Sequence, residues 1–190
     1  MELPTIIIEN CEPITEWVLL EYKHASKIAM ENIIFTNIND RRLEQFGKIY
    51  PRSFVDLVKP EDTIILDPSA DTPLRTEDFD KYRYFVVGGI CGDYPPKGRT
   101  KELISSRLSQ AERRNLGKKQ LSIDGAVLMI MLVYSGEKIE NIEVVDSVEI
   151  KYGDGESTIL PFGYIILNNK AIITPGLIDL LKRKRGEGIF

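Results

Sequence analysis

Three glycines within five positions mark the first segment of this sequence that could hold a ligand. Gly88, Gly89 and Gly92 lie at the end of an apolar run, and Asp93 follows them. Glycine has no Cβ, so its backbone can adopt positive φ angles and approach a bound molecule closely. The same pattern is typical of a loop that only turns the chain, and the residues alone leave both interpretations open. Neither G-x-G-x-x-G nor G-x-x-x-x-G-K-[ST] occurs here, so no motif indicates a dinucleotide site or a P-loop.

A second candidate segment covers residues 116–125 and leads into a strongly apolar stretch. Backbone N–H groups at the start of a helix have no partner within the helix, so they can bind polar atoms of a ligand. Asp124 would lie favourably near the positive end of the helix dipole. Capping of the helix by Ser122 or Asp124 explains the same residues without a ligand, and this alternative stays open.

A third cluster combines four carboxylates with one aromatic residue, namely Glu9, Glu12, Glu16, Trp17 and Glu21. Glu9 ends a predicted strand, so we expect it at the same sheet edge as the glycines. In a helix that starts near Thr15, Trp17 and Glu21 lie one turn apart. Solvated side chains are the ordinary explanation for each glutamate taken singly. Together, acids around an aromatic ring indicate a site for a cationic side chain.

Composition and charge limit the classes of function. The chain has 190 residues, of which 43% are hydrophobic and 28% are charged, as in a globular protein with a sizeable core. No apolar run approaches the roughly 20 residues of a membrane helix, and the start lacks the basic region of a signal peptide. We therefore expect a cytoplasmic protein. The net charge of -4 argues weakly against a strong non-specific nucleic-acid binder.

Residues that often bind metals are few. Cys11 and Cys91 fit neither a disulfide framework nor a metal-ligand spacing, so we expect reduced thiols and no metal site. His24 is the only histidine. We expect it on the first helix, away from the candidate segments, in a core or surface role.

Apolar runs alternate with helical patterns along the first two thirds of the chain. The predicted strands are residues 5–9, 33–37, 63–68 and 82–88. The predicted helices are residues 14–29 with Thr15 as N-cap, a helix capped by Asp40, residues 100–114 with Thr100 as N-cap, and a buried helix at 123–135. This order predicts an α/β fold with a parallel sheet. Ligands bind such sheets outside the carboxyl ends of the strands.

The last third of the chain has a different pattern, with short extended segments and few helical ones. Two segments, 148–152 and 157–160, flank Gly153-Asp154-Gly155 and predict a β-hairpin. Residues 161–173 are extended, with a turn at Asn168-Asn169, and a short helix follows at 177–184. We expect residues 1–190 to form a single domain, in which 137–190 is a small β-rich extension packed on the main sheet.

One stretch resembles the signature of a known family. Residues 85–100 read FVVGGICGDYPPKGRT and resemble the G-G-I-L-G-D-H-P-P-R-D-R-T signature of a SPOUT methyltransferase family from archaea and eukaryotes. Four more segments resemble this family in matching order: EWVLLEY at 16–22, LDP at 66–68, LGKKQL at 116–121 and PFGY at 161–164. The chain departs from the family at Cys91, where leucine is usual, and at 122–125, where SIDG stands in place of T-T-D-T.

The resemblance implies a fold and a cofactor. The fold is a SPOUT-type, mostly parallel sheet with helices on both faces and a C-terminal trefoil knot, a rare exception to the rule against threaded chains. The cofactor is S-adenosylmethionine (SAM). By analogy with the family, it would contact Leu66, Asp67, Pro68, Gly88, Gly89, Ile90, Gly92, Asp93, Leu116, Gly117, Gln120, Leu121, Ser122 and Asp124. A monomer is also implied.

The family includes enzymes described as RNA methyltransferases and one that methylates an arginine of a small-subunit ribosomal protein. If arginine is the acceptor, a carboxylate can orient its protonated guanidinium and help to remove the proton. We predict Glu9, Glu21 and Asp93 as catalytic residues, with Glu16 as a further candidate carboxylate. We predict Glu16, Trp17 and Arg99 as substrate-binding residues, with Trp17 offering a cation–π face.

Two other functions remain as alternatives. An RNA methyltransferase would use two basic sets, Arg113, Arg114, Lys118 and Lys119 in one and residues 182–185 in the other. A solvated surface or a helix C-terminus explains these sets equally. A non-catalytic ribosome-associated protein is the second alternative. The acidic net charge and the acids around Trp17 favour a protein substrate.

Overall fold

The computed structural model describes residues 2–91, 98–153 and 155–184. Within these ranges, six parallel strands form the central sheet in the order β3-β2-β1-β5-β4-β6. The strands are β1 Thr5–Asn10, β2 Ile33–Thr36, β3 Lys48–Tyr50, β4 Thr63–Leu66, β5 Tyr84–Gly89 and β6 Glu112–Arg114. The predicted α/β class with a mostly parallel sheet is therefore confirmed.

Both faces of the sheet are buried, and the three consecutive isoleucines of β1 show this. Ile6, Ile7 and Ile8 are all fully buried, although successive side chains of a strand point to opposite faces. Ile6 and Ile8 belong to the larger core cluster, and Ile7 belongs to a second cluster on the other face. A strand between two cores cannot alternate apolar and polar residues.

Two long helices, α1 Glu16–Ile28 and α3 Ile123–Tyr134, cover the first face. Their starts agree with the predicted caps. The Thr15 hydroxyl accepts a hydrogen bond from the N–H of Val18, and the Ser122 hydroxyl accepts one from the N–H of Gly125. These side chains satisfy N–H groups that the helices themselves leave unpaired.

The second face has a thinner cover than predicted. A short helix, α2 Arg99–Leu103, and 3₁₀ turns at Phe54–Asp56 and Ser105–Leu108 provide it. Helices were expected on both faces of the sheet, but on this face α2 is the only α-helix among the described residues that contributes to the cover.

Two predicted helices are wrong. The helix expected at 100–114 ends after one turn, and its last part is the edge strand β6. Asp40 caps only the 3₁₀ turn Arg41–Leu43, accepting from the N–H of Arg42. The sequence also gave no sign of β3. These short edge segments contain polar residues that pair through their backbone, which side-chain periodicity does not reveal.

The described residues of the C-terminal part form five short strands and one helix. These are β7 Val144–Val145, β8 Val148–Lys151, β9 Ser157–Leu160, β10 Tyr164–Leu167, β11 Lys170–Ala171 and α4 Leu177–Arg183. The predicted β8–β9 hairpin is confirmed and is antiparallel. Asn168 and Asn169 both have positive φ and join β10 to β11, as predicted. Leu20 and Trp17 of α1 pack against this part. Along the described ranges, no helix is long and apolar enough to span a membrane.

Candidate functional site

A cavity of about 220 Å³ opens beyond the ends of β4 and β5. Leu66, Pro68 and Val87 form its apolar floor, and residues 116–123 form the wall opposite. This is the edge at which open parallel sheets bind ligands. The lining includes nine of the predicted cofactor-binding residues, which are Leu66, Pro68, Gly88, Ile90, Leu116, Gly117, Gln120, Leu121 and Ser122.

The wall segment is held at both ends by hydrogen bonds. Asn115 donates to the carbonyl of Ala70 (2.8 Å) and accepts from the N–H of Gly117 (3.0 Å). Further along, the carbonyl of Gln120 accepts from the N–H of Gly163 (2.7 Å). Gly117 has a φ of 94°, which L side chains rarely adopt, so the wall requires glycine at this turn.

Gly88 and Gly89 serve close packing and do not use the positive φ angles that glycine permits. Neither has a positive φ. A Cβ on Gly88 would lie 2.8 Å from Cδ1 of Ile104, and a Cβ on Gly89 would lie 2.1 Å from the Tyr22 hydroxyl. Gly88 lines the cavity, whereas Gly89 does not. Gly92 and Asp93 lie outside the described residues.

Asp67 was predicted to contact the cofactor, but it does not line the cavity. Its carboxylate accepts from the hydroxyl of Ser69 (2.7 Å) and the hydroxyl of Ser105 (2.6 Å). Burial tends to raise the pKa of Asp67, but these hydrogen bonds and nearby Arg113 bring it below the usual value. Asp67 therefore ties the end of β4 to the turns on the second face.

Asp124 also lies behind the cavity and is not among the residues that line it, so its predicted contact with the cofactor stays a prediction. Its Oδ1 accepts from the Ser122 hydroxyl (2.7 Å) and the N–H of Gly125 (3.0 Å). Its Oδ2 accepts from the Thr174 hydroxyl (2.7 Å) and lies 2.7 Å from Nδ1 of His24. His24 therefore lies against the base of α3, close to the site, and not away from it as expected. A contact across 100 residues of sequence leaves no local signal.

Glu21 is buried beside Asp124 and does not face an open rim. It accepts from the indole N–H of Trp17 (2.6 Å) and from the N–H of Ile123 (3.0 Å). Burial, followed by the charge of Asp124, raises the pKa of Glu21 to about 8. Trp17, predicted as a cation–π face, directs its N–H to Glu21 and packs against the C-terminal cluster.

Glu9 ends at the predicted sheet edge but is fully buried. Its carboxylate accepts from the hydroxyls of Thr36 (2.5 Å) and Ser53 (2.7 Å) and from the N–H of Phe54 (3.0 Å). Nη1 of Arg107 lies 2.9 Å away. Four donors surround this carboxylate and it does not line the cavity, so its predicted catalytic role stays a prediction.

Glu16 lies on the surface and pairs with the C-terminal helix. Arg183 Nη2 and Lys184 Nζ lie 3.0 and 2.9 Å from its oxygens. Hydrogen bonds from Lys184 and Arg183 lower the pKa of Glu16. Its predicted role in substrate binding thus competes with a role in fixing α4 to α1.

Glu12 belonged to the acidic cluster but was not among the predicted site residues. It does not itself line the cavity, but it lies beside the cavity mouth because it contacts Arg99, which does. Its Oε1 lies 2.6 Å from Nη1 of Arg99, a cavity-lining residue, and its Oε2 accepts from the N–H of Cys91 (3.1 Å). Arg99 also donates from Nη2 to the Cys91 carbonyl (2.8 Å). No single signal in the sequence marked Glu12 over its acidic neighbours.

Both cysteines are free thiols. Burial, the largest cause in each case, raises the pKa of Cys11 to about 11 and that of Cys91 to about 12, so neither is a ready nucleophile. In the described part of the chain, no three His, Cys, Asp or Glu residues are grouped to hold a metal ion.

The basic residues proposed for RNA contact are largely engaged within the protein. Arg114 pairs with Asp78 (3.0 Å), and Lys119 pairs with Asp146 (2.9 Å). In the C-terminal set, Arg183 and Lys184 both pair with Glu16. Arg185 lies outside the described residues. Lys118 lines the cavity.

Comparison with known proteins identifies the family. Residues 5–187 match the model described as protein arginine N-methyltransferase SFM1-like. The chain belongs to this family. Protein arginine N-methyltransferase SFM1 from Saccharomyces cerevisiae is 33% identical to this chain. The alignment is 205 positions long, gaps included, and covers 96% of each chain. The methyltransferase family inferred from the sequence is therefore confirmed.

Solved structures of the yeast relative agree with the SFM1-like assignment. Its complex with SAM matches with a TM-score of 0.85 at 30% identity, covering 97% of this chain and 92% of the other. Its complex with SAH matches with a TM-score of 0.84 at 31% identity, covering 93% and 94%. Trm10 from Thermococcus kodakaraensis shares the fold, with a TM-score of 0.60 at 20% identity over 72% of this chain and 95% of that one.

Proposed function

We propose that this protein transfers a methyl group from SAM to the guanidinium of an arginine in a protein substrate. The match of residues 5–187 to the SFM1-like family carries this proposal. Support from the geometry comes from the cavity at the carboxyl edge of the sheet, which lies where this class of fold binds its ligands.

The residues around the cavity suit SAM in their chemistry. Leu66, Val87 and Leu121 offer an apolar surface for the adenine ring, and the wall at 116–122 brings backbone close to the ligand at Gly117. Gln120 places a polar side chain in the lining that suits the ribose or the amino-acid moiety. A mostly apolar pocket with a few polar groups is usual for a cofactor of this kind.

When bound, SAM supplies a methyl group activated by the sulfonium. The protein's part is to orient the acceptor nitrogen and to exclude water, and alignment of this kind supplies about 7–11 kcal/mol of barrier reduction. Since an arginine side chain has a pKa above about 12, the acceptor arrives protonated. A carboxylate at the cavity mouth would orient it and favour loss of its proton.

More specific features belong to the same proposal. The substrate is a ribosomal protein, the enzyme acts in the cytoplasm as a monomer, and its C-terminal part is threaded as a trefoil knot. The family resemblance supports each of these. The parallel bridge between Leu121 and Gly163, which brings the C-terminal part against the cavity wall, is compatible with threading. Light scattering of the purified protein tests the monomer, and a continuous chain trace at high resolution tests the knot.

The experiment that tests the function is a transfer assay with labelled SAM. Ribosomal proteins and ribosomal RNA from the same source are offered separately, and labelled protein is hydrolysed for amino-acid analysis. We expect label in methylarginine. Label confined to RNA would establish the alternative enzyme, and SAM binding without transfer to either pool would favour a non-catalytic protein.

A further inference from the structure

The carboxylates around the cavity differ in how far their oxygens are already engaged. Four of them are at most 5% exposed, and the protein's own groups hydrogen bond to each. These buried carboxylates are Glu9, Glu21, Asp67 and Asp124. A carboxylate so enclosed cannot accept a substrate guanidinium without losing partners that hold the fold together.

Glu12 is different because its carboxylate is itself partly exposed and its guanidinium partner, Arg99, lines the cavity. Its side chain is 20% exposed, and that of Arg99 is 30% exposed. One carboxylate oxygen lies 2.6 Å from Arg99, and the other is fixed by the N–H of Cys91. Cys91 directly follows Ile90, which lines the cavity with Arg99. The backbone thus orients the carboxylate, while its other oxygen holds the kind of group that the substrate would bring.

From this geometry we infer that Glu12 binds the guanidinium of the substrate arginine, and that Arg99 occupies this position until the substrate enters. The inference rests on the proposed function. Replacement of one guanidinium by another keeps the charge-assisted hydrogen bond and leaves no carboxylate without a partner. For this exchange Arg99 releases its second hydrogen bond, to the Cys91 carbonyl, and its partly exposed side chain turns towards solvent, where a charged group is well hydrated.

A binding experiment tests this inference independently of catalysis. The probe is N-acetyl-L-arginine amide, and the neutral control is N-acetyl-L-citrulline amide. Titrations are followed by the backbone N–H signal of Cys91 in NMR spectra. We expect the arginine probe alone to shift this signal in the wild type, and neither compound to shift it in Glu12→Gln. An equal shift in the variant, or none in the wild type, would overturn the inference.

Kinetics with the labelled protein substrate provide the second test. Loss of a charge-assisted hydrogen bond corresponds to roughly tenfold or more in affinity, so Glu12→Gln is expected to raise KM for the protein about tenfold while the Kd for SAM stays within about twofold. Glu12→Asp should recover part of the loss. The matched control is Glu61→Gln, an exposed residue at the opposite end of β4, with unchanged kinetics.

The outcomes separate the two proposals. A wild type that methylates no arginine while the probe binds at Glu12 contradicts the proposed function only. A wild type that is active, with Glu12→Gln equal to it in KM, contradicts the role of Glu12 only. If Glu12→Gln instead loses SAM binding, Glu12 acts on the cofactor side and the inference is wrong.

Discussion

The carboxylates behind the cavity and the carboxylate at its mouth have the same chemistry but different surroundings. Glu9 and Asp124 are almost completely buried, and four groups of the protein contact each of them. Glu12 is partly exposed, and its described partners are the N–H and the thiol of Cys91 and the guanidinium of Arg99. The buried carboxylates fix the elements that form the site, whereas Glu12 can exchange its partner. Proximity to a ligand-binding edge is therefore a poor guide to which acid acts on a ligand.

The largest effect is expected from Glu9→Ala. This change leaves two hydroxyls, the N–H of Phe54 and Arg107 without their acceptor, and removal of one partner from such a buried network costs about 3–5 kcal/mol. Urea unfolding measures it. The contrasting variant is Glu12→Ala, for which a partly exposed ion pair predicts a loss of about 1 kcal/mol or less. Equal losses in the two variants would remove the distinction between them.

A smaller but still clear effect is expected from Asp124→Ala. The variant loses the acceptor that joins Ser122 at the start of α3 to Thr174, at a cost of about 2–3 kcal/mol in unfolding free energy. Because Ser122 lines the cavity, the Kd for SAM should also rise. Thermal unfolding and calorimetry measure the two quantities. Stability loss with unchanged SAM affinity would show that the cavity wall does not depend on this network.

Glu21→Gln sharpens the comparison through its pH dependence. The folded state holds the Glu21 proton up to a pKa of about 8, while the unfolded state releases it near the ordinary value of 4.5. The folded state therefore binds more protons between these values, and this residue makes the protein less stable as pH rises from about 5 to 8. In Glu21→Gln this contribution is absent, so its stability relative to the wild type should increase across the same range.

Urea titrations at pH 5, 6, 7 and 8 check this prediction, with Glu61→Gln as an exposed control. In Glu21→Gln, an NH₂ group replaces one of the two side-chain oxygens that accept hydrogen bonds from Trp17 and Ile123. The loss of this acceptor is expected to lower stability by a similar amount at every pH. Only the pH-dependent part reports on burial. Parallel stability profiles for wild type and Glu21→Gln would contradict the raised pKa.

The sequence predicted the elements with long apolar patterns and the segments that form the cavity. Burial on one or two faces requires apolar residues at fixed spacing, and this pattern predicted β1, β2, β4, β5, α1 and α3. β3 and β6 lie at the sheet edges and are only three residues long, and β6 is entirely charged, so their pairing depends on backbone hydrogen bonds that the side chains do not indicate. Local pattern therefore predicts the centre of this sheet better than its edges.

Side-chain roles were harder to predict than positions. Glu9 lies at the expected edge, but its burial depends on Ser53 and Arg107, which are 44 and 98 residues away in sequence. His24 and Asp124, which also contact each other, are 100 residues apart in sequence. Whether an acid is enclosed or open depends on such long-range partners, and spacing along one strand or helix does not contain that information.

The smallest effect is expected from Glu16→Ala, because Glu16 is an exposed acid although it also has two basic partners. Solvent and salt screen exposed ion pairs, and the long side chains of Arg183 and Lys184 lose conformational freedom when they pair. If the number of partners decided the loss of stability, Glu16→Ala would resemble Glu9→Ala. If exposure decides it, Glu16→Ala should cause no measurable change in Tm. Differential scanning calorimetry at low and at physiological salt distinguishes the two. A clear drop in Tm at both salt concentrations would mean that the contact between α1 and α4 matters more than exposure indicates, and that burial alone does not separate structural acids from replaceable ones in this protein.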